Sequence, residues 1–492
     1  MKKVKRILAM LMAMAMVLGM AVTASAEGSA TITVKNAKQA ELKILQVIAP
    51  DSTTATGWAF INGGRNEYLT AFGYTVGLDE AVNNTNAQKV IAAMIKYQDS
   101  TATFTDETLR TVKAATAAQI DKALSNVAQN LATSFTEMTN GAVVSSAGIY
   151  AITAQEAGYT YKTMGAYVGF GKVEGQEYPT LQSAEVEAKK APNTVDKTNS
   201  DEDKVVAIGD VVEFTITANF PYIDPNATTK EYKIKDTITG AEYVLEKGVL
   251  KNATVTVGGE SLTLVAGENG NFTVEGNSFT IDLSSFITPD NINANDSIEI
   301  KYTATVNATA VNNKVTSTFD ETGKTDYIYT GQITLTKYAE DVATPLSGAG
   351  FILMATMPDE ENNESGTDDS MGVATKTVYA TFDDTNNFTG WVDSEADATE
   401  VVTGTDGTLV VKGLDAGSYH FKEVTAPEGY SINADGADAD LTVEGEATAV
   451  IEATTSLKDT KLAALPATGG IGTYIFTIAG IIIMAAAAGF FF

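Results

Sequence analysis

Two sets of ionisable and amide side chains occupy sequence positions where apolar residues are expected. Successive side chains of a β-strand point to opposite faces, so a residue two positions from a buried Val, Leu or Phe shares its face. Several strand-like segments place first a lysine, then a carboxylic acid, and then an asparagine or aspartate on the apolar face. In chain order the two sets are Lys197, Asp236 and Asn313, and Lys337, Glu423 and Asp459.

Burial of such groups costs several kcal/mol each unless they satisfy one another. We therefore expect the three members of each set to meet inside a core. Each residue taken singly is also explained by a position at a strand end or by an ordinary buried salt bridge. The repetition of the same order in two parts of the chain favours a shared function for both sets.

Antiparallel β-sandwiches are the elements expected to position these side chains. Apolar and polar residues alternate from Val212 to Phe220 and from Ile298 to Val306. Short alternating strands separated by Gly, Asn and Asp are typical of antiparallel sandwiches. The sequence therefore predicts a mainly β protein with tandem Ig-like sandwiches in a middle module, residues 191–330, and a third module, residues 331–461. An acidic stretch of the third module, at about 359–369, is predicted to be a loop.

The first module, residues 27–190, has a mixed pattern. A strand is predicted from Thr31, and strand patterning returns at 148–152. Between them, apolar residues recur with helical spacing at about 86–97 and at about 106–134. This module is therefore predicted to be a β-sandwich with a helical insertion, and a polar stretch at about 189–204 is predicted to form its boundary with the middle module.

The two ends of the chain carry export and sorting patterns. Residues 1–26, with four cations, an apolar stretch and a final Ala-Ser-Ala, are predicted to be a secretory signal peptide. Near the other end, Leu465-Pro466-Ala467-Thr468-Gly469 precedes an apolar segment at 471–492, which is predicted to be transmembrane. This pair resembles the sorting signal of Gram-positive surface proteins, in which a sortase cysteine attacks the Thr-Gly bond. The basic tail usual in that family is not present in the printed sequence.

Composition argues against several classes of function. The 492 residues include no Cys, so no disulfide framework or thiol chemistry is expected. They include one His. The formal charge of −29 disfavours nucleic acid as a partner. The HExxH, GxSxG and P-loop patterns are lacking, so we expect no enzyme and no cofactor. The acidic run at 433–440 does not have EF-hand spacing, and no metal site is predicted.

Several short motifs resemble those of sortase-assembled backbone (major) pilins. ITLTK at 333–337, PLSGAGF at 345–351, LDAGSY at 414–419 and EVTAPEGY at 423–430 are similar to a collagen-adhesin B-type domain with its E-box. In the middle module, Gly209-Asp210 and Lys235-Asp236-Thr237 resemble the central domain of the same pilins. Together with the signal peptide and the sorting signal, the resemblance covers nearly the whole chain.

This resemblance implies an intramolecular isopeptide bond in the middle module. Lys197 would join Asn313, with Asp236 as the catalyst, and ammonia would leave. An apolar core favours this chemistry because burial lowers a lysine pKa and raises that of an acid, which gives a neutral amine beside a neutral acid. Proximity then drives attack of the amine on the side-chain carbonyl.

The third module is expected to form a related bond. Lys337 would join Asp459, with Glu423 as the catalyst. Because Asp459 stands where the family usually has Asn, water would leave instead of ammonia. Each bond is expected to tie the first strand of its module to the last.

The resemblance further implies that the protein is a structural shaft subunit of a covalent pilus. The motif Leu465, Pro466, Thr468 and Gly469 would be cut by a pilin-specific sortase, which joins Thr468 head to tail to a lysine of the next identical subunit. The acceptor is predicted at Lys189, with Lys190 as second candidate, because Val186-Glu-Ala-Lys189 stands near the family's Val-Tyr-Pro-Lys position. A housekeeping sortase, peptidoglycan and ancillary tip or base pilins complete the expected partners, at the cell surface.

An alternative of a different class uses the same modules. A wall-anchored adhesin or ancillary pilin binds host or matrix and needs no acceptor lysine. The acceptor lysine is therefore the feature that separates the two hypotheses.

Overall fold

The computed structural model describes residues 28–171, 180–224, 227, 230–288, 292–341, 344–359, 375–462, 477–479 and 481. Buried apolar residues form cores within residues 30–188, 195–328 and 333–457, and the last core also contains Ala207. Strands predominate in the described residues, so the predicted mainly β class is confirmed. The predicted signal peptide and nearly all of the predicted acidic loop lie outside the described residues.

The first module combines small sheets with helices. One sheet has the order β11-β1-β5 and another the order β3-β2-β6-β8, with β4 against β2. Its strands are β1 Ala30–Lys35, β2 Glu41–Pro50, β3 Trp58–Phe60, β4 Thr136–Met138, β5 Ala142–Val144, β6 Gly148–Gln155, β7 Tyr159–Tyr161, β8 Met164–Val168, β9 Phe170–Gly171, β10 Thr180–Leu181, β11 Ala184–Glu187 and β12 Lys190–Pro192.

The helices of this module are α1 Gly64–Ala71, α2 Glu80–Gln98, α3 Glu107–Arg110 and α4 Ala117–Asn130. The prediction of one helical stretch at 106–134 was wrong, because α3 and α4 are separate. Lys96 Nζ donates to the backbone carbonyls of Arg110 and Val112, at 2.7 Å each, which holds the chain out of the helix there. A capping box of Thr116 and Gln119 then starts α4.

Half of the predicted polar boundary at 189–204 is strand. Strand β12 pairs with β7 of the first module, and β13, which begins at Val195, is the first strand of the middle module. The connection between the two modules is therefore short.

The middle module consists of two facing sheets and a small two-stranded sheet formed by residues 245–246 and 249–250. The strand orders of the facing sheets are β13-β14-β23-β19-β20, with β16 against β23, and β21-β22-β15-β24-β25. The strands are β13 Val195–Asn199, β14 Val211–Asn219, β15 Lys233–Thr239, β16 Ala241–Tyr243, β17 Leu245–Glu246, β18 Val249–Leu250, β19 Thr254–Val257, β20 Glu260–Ser261, β21 Phe272–Glu275, β22 Ser278–Asp282, β23 Ser297–Val306, β24 Ala310–Ser317 and β25 Asp320–Tyr329. The alternation predicted for β14 and β23 is present, with their apolar residues buried between the sheets.

The third module repeats the two-sheet plan with different connections. One sheet has the order β31-β26-β34, in which β26 and β34 are parallel, and the other the order β29-β28-β27-β32-β33, with β30 against β27. The strands are β26 Gly331–Ala339, β27 Gly350–Pro358, β28 Thr375–Phe382, β29 Phe388–Val392, β30 Val401–Val402, β31 Thr408–Leu414, β32 Gly417–Thr425, β33 Ala437–Leu441 and β34 Ile451–Asp459.

A loop of the middle module packs against the third module. Ala207 joins the third core, the Ile208 N–H donates to the Gly413 carbonyl at 2.9 Å, and Lys204 pairs with Glu446 at 3.0 Å. Gly413 has φ +81° there, and a Cβ at this position would lie 2.5 Å from Ile208 Cδ1. The glycine thus permits the close approach of the two modules.

Helices of the described residues are all too short or too polar to cross a membrane. The segment at 471–492, predicted to be transmembrane, is described only at 477–479 and 481.

Candidate functional site

In the middle module, the first predicted set of polar residues lies together between the two sheets. We call this set the middle centre. Lys197 on β13 comes from one sheet, and Asp236 on β15 and Asn313 on β24 come from the other. Asp236 and Asn313 are each 0% exposed and Lys197 is 2% exposed. The strand alternation therefore places these polar side chains in the core, as predicted from their phase.

Hydrogen bonds connect the members of the middle centre through a tyrosine. Lys197 Nζ contacts Asp236 Oδ2 and donates to the Tyr302 hydroxyl at 2.5 Å. Asn313 Nδ2 donates to the same hydroxyl at 2.8 Å, and the hydroxyl donates to Asp236 Oδ1 at 2.8 Å. Tyr243 also donates to Asp236 Oδ1, at 2.9 Å.

The environment of the middle centre favours the neutral amine. Burial lowers the pKa of Lys197, and contact with the Asp236 carboxylate only partly opposes this effect. The Nζ atom also lies 5.4 Å from the centre of the Phe214 ring and 5.0 Å from that of Tyr302. Asn313 Oδ1 is buried without a hydrogen-bond partner. The amide carbonyl is therefore not held in a competing interaction.

Tyr302 and Tyr243 were not among the predicted site residues. Tyr302 was assigned to the apolar face of its strand, which is where it lies, but the alternation gave no sign that its hydroxyl is used. The available signal was chemical, since a buried tyrosine hydroxyl usually needs a polar partner. Because of this need, inward-facing tyrosines opposite buried ionisable groups could have been included among the predicted site residues.

In the third module, the second predicted set of polar residues also lies together between the sheets. We call this set the third centre. Lys337 on β26 and Asp459 on β34 come from one sheet, and Glu423 on β32 from the other. Lys337 Nζ is 2.8 Å from Glu423 Oε2 and also contacts Asp459 Oδ1. The three residues are 0 to 3% exposed. One amine thus faces two carboxyl groups in a closed core.

Electrostatics in the third centre favour a protonated acid. Burial raises the pKa of Glu423, and the nearby Asp459 charge adds to the effect. Glu423 Oε1 and Asp459 Oδ2 are buried without hydrogen-bond partners. The Asn433 N–H donates to Glu423 Oε2 at 2.8 Å. The acidic run that begins at Asn433 therefore helps to hold Glu423 in place. Among the described residues, no group of three or more Asp, Glu or His is arranged to bind a metal ion.

The prediction that each bond ties the first strand of its module to the last agrees with the structure in the third module but not in the middle module. Asp459 lies on β34, the last strand of the third module, which pairs directly with the first, β26. Asn313 lies on β24, and β25 follows it, so the prediction that the middle centre joins the first strand to the last was wrong. The chain turns back after Ser317 into an antiparallel hairpin that adds β25 to the edge of the sheet.

The two candidate acceptor lysines line a cleft of about 870 Å³ together with Tyr222 and Asn295 of the middle module. Both lysines are half-buried. Lys190 Nζ pairs with Glu156 Oε2 at 2.8 Å, which raises the pKa of Lys190. Burial, assisted by the charge of Lys162, lowers the pKa of Lys189. The two pKa shifts therefore favour the neutral amine at Lys189 and the charged ammonium at Lys190. The sorting residues Leu465, Pro466, Thr468 and Gly469 lie outside the described residues.

Comparisons with known proteins agree with this architecture. Residues 331–456 match the SpaA family, a prealbumin-like fold domain, and residues 458–492 match the LPXTG cell wall anchor motif. The chain is thus a β-rich surface protein anchored to the cell wall, and the predicted location is confirmed. No curated protein matches the chain significantly.

Solved structures identify the kind of surface protein that the chain resembles. The T6 backbone pilin of serotype M6 Streptococcus pyogenes matches 89% of this chain and 100% of its own length, at 14% identity and a TM-score of 0.51. The backbone protein of pilus 2b of group B streptococcus matches 54% of this chain and 97% of its own length, at 26% identity and a TM-score of 0.39. The full-length major pilin SpaD of Corynebacterium diphtheriae matches 89% and 98%, at 14% identity and a TM-score of 0.41. The chain has the fold of a backbone pilin, as the sequence motifs predicted.

Proposed function

We propose that this protein is the shaft subunit of a covalent pilus whose middle and third modules are each closed by an intramolecular isopeptide bond. The observation that carries the proposal is the pair of fully buried lysines, each in contact with a carboxyl group from another strand. Buried ion pairs contribute little net stability, because desolvation offsets their attraction. A covalent product explains why an apolar core contains them twice. This role requires no turnover of a substrate by the chain.

In the middle centre the reaction is a transfer of the Asn313 acyl group from ammonia to lysine. Asp236 takes a proton from the Lys197 ammonium, and the neutral amine attacks Asn313 Cγ. The Nζ–Cγ bond forms, the Cγ–Nδ2 bond breaks, and ammonia leaves. Proximity within a closed core supplies most of the acceleration, because the reacting groups are already ordered by the fold.

In the third centre the reaction is a condensation. The Lys337 amine attacks Cγ of the Asp459 carboxyl group, the Nζ–Cγ bond forms, and one Cγ–O bond breaks. Glu423 carries protons between the amine and the departing oxygen, which leaves as water. The raised pKa of Glu423 supports this role, since the acid has to be neutral in part of the cycle.

The two bonds determine the path of tension along the shaft. Tension enters the third module at β26 and leaves at β34, and a Lys337–Asp459 bond connects these adjacent parallel strands directly. A Lys197–Asn313 bond connects the two sheets of the middle module near its first strand. Force is then carried by covalent bonds before most strand pairs are loaded.

Polymerisation requires one further lysine outside the cores. A pilin-specific sortase cleaves the Thr468–Gly469 peptide bond, releases the Gly469 amine and holds the Thr468 carbonyl as a thioester. The Lys189 amine of the next subunit then displaces the sortase cysteine and forms the amide bond. The lowered pKa of Lys189 and its position in an open cleft support this assignment. A housekeeping sortase transfers the finished polymer to peptidoglycan, and ancillary pilins occupy its tip or base.

The acceptor assignment is tested by Lys189→Ala in cells that make the pilus. We expect the ladder of heat- and detergent-resistant multimers on a denaturing gel to disappear, while the monomer remains folded and attached to the wall. Lys190→Ala, and Lys38→Ala on the same cleft, are matched controls and should keep the ladder. A ladder that survives Lys189→Ala and disappears only with Lys190→Ala moves the acceptor by one residue. A single band from the parent protein contradicts the shaft function and favours a singly anchored adhesin.

A further inference from the structure

We propose that Tyr302 is a catalytic residue of the middle centre, whose hydroxyl passes a proton from Lys197 Nζ to the departing Nδ2 of Asn313. This inference rests on the proposed isopeptide bond of the middle module. It identifies the group that gives a proton to the leaving nitrogen of Asn313.

The geometry places this one hydroxyl between all of the reacting groups. It lies 2.5 Å from the nucleophile, Lys197 Nζ, and 2.8 Å from the leaving group, Asn313 Nδ2. It also donates to Asp236 Oδ1 at 2.8 Å. In the described residues, Asp236 and the Asn313 amide each form a hydrogen bond with the Tyr302 hydroxyl. This hydroxyl therefore connects the acid to the leaving nitrogen.

The tyrosine ring is fixed for this task. It is 2% exposed, stacks on Phe214 at 5.8 Å between ring centres, and packs edge-on against Phe279 at 5.0 Å. Burial raises the pKa of Tyr302, so the hydroxyl stays protonated. A neutral hydroxyl can accept one proton while it gives another, and the reaction leaves no phenolate in the core.

Proton transfer through Tyr302 accompanies formation of the Nζ–Cγ bond. Asp236 first takes one proton from the Lys197 ammonium. As the amine nitrogen bonds to Cγ, the lone pair of Nδ2 is freed from the amide, and the Tyr302 hydroxyl turns from Asp236 Oδ1 to Nδ2. The amine nitrogen gives a second proton to the Tyr302 oxygen, and the Tyr302 proton passes to Nδ2. The Cγ–Nδ2 bond breaks, ammonia leaves, and it takes the proton held by Asp236 to become ammonium. Tyr302 and Asp236 end in their starting states.

The third centre supplies an internal comparison. There Lys337 contacts both Glu423 and Asp459 directly, so the acid and the leaving oxygen sit at the same nitrogen. A relay hydroxyl is not needed between groups that are already in contact. A change at Tyr302 is therefore expected to leave the third-module bond unaffected.

The test follows bond formation in the whole chain during cell-free synthesis, with timed acid quenching, proteolysis and mass spectrometry of the cross-linked peptides. In Tyr302→Phe we expect the Lys197–Asn313 peptide to form on the order of a hundredfold more slowly than in the parent. The Lys337–Asp459 peptide of the same molecules should form at the parent rate, which also shows that the chain folds. Tyr232→Phe is the matched control, because Tyr232 is a buried tyrosine of the same module whose ring packs against Phe220 and Phe319, and its rate should stay close to that of the parent.

A parent rate in Tyr302→Phe overturns the role of Tyr302 and leaves the isopeptide bond standing. A parent chain that forms no Lys197–Asn313 peptide removes the bond itself. If Tyr302→Phe loses the third-module bond as well, 3,5-difluorotyrosine at position 302 keeps the shape and makes the hydroxyl more acidic. The relay predicts an altered rate and pH profile with this residue, and an unchanged profile contradicts it.

Discussion

Asp236→Asn and Glu423→Gln are each expected to lower the free energy of unfolding of their own module by about 4 to 5 kcal/mol. Both substitutions keep the side-chain shape and remove the acid that each reaction requires, so the cross-link does not form. Each bond closes a loop of more than a hundred residues, and its loss restores that loop's conformational freedom in the unfolded chain. For modules of this size the change corresponds to a fall in Tm on the order of 15 to 20 °C.

Calorimetry of the whole chain measures this effect, with the cross-linked peptides assayed in the same samples. Glu299→Gln and Glu452→Gln are matched controls, since both carboxylates are exposed on strands of the same two modules, and they should unfold with the parent. If the parent chain yields no cross-linked Lys197–Asn313 or Lys337–Asp459 peptide, the bonds do not exist and ordinary buried ion pairs account for both centres.

The middle and third centres were largely predictable because strand periodicity is a local property. Lys197, Lys337 and Glu423 each lie two positions from a buried apolar residue, and the period of two fixes their face wherever a strand forms. The sequence therefore indicated which groups are buried. It did not indicate which atoms meet.

Features that depend on contacts between distant segments were not predictable. Tyr302 looks like any core aromatic residue until β23 is placed opposite β15 and β24, and only then does its hydroxyl acquire partners. The break between α3 and α4 depends on Lys96 of α2, since its side chain takes up carbonyls that a continuous helix would use internally. Helical spacing alone continues across that break.

Deletion of 465–469 is expected to remove the protein almost completely from the cell-wall fraction. In the proposed assembly the sortase forms its thioester at the Thr468 carbonyl, so a chain without this motif is not transferred to an amine of the wall or of another subunit. The protein should then be found in the membrane fraction or the medium, with no multimer ladder. Fractionation of the cells followed by immunoblotting measures the distribution.

Ala467→Ser is the matched control for this deletion, because the third position of the motif is variable in the LPXTG pattern. This variant should remain in the wall and keep its ladder. Wall attachment that persists after deletion of 465–469 shows that the C-terminal assignment is wrong.

In a shaft each subunit is joined covalently to the next, and mass spectrometry of the purified multimer detects that bond. Proteolysis should release a branched peptide in which the Thr468 carbonyl of one chain is bonded to Lys189 Nζ of another, in an amount that grows with the length of the polymer. If Thr468 is found only on peptidoglycan amines, and Lys189 is recovered unmodified from every band, the protein is not a shaft subunit.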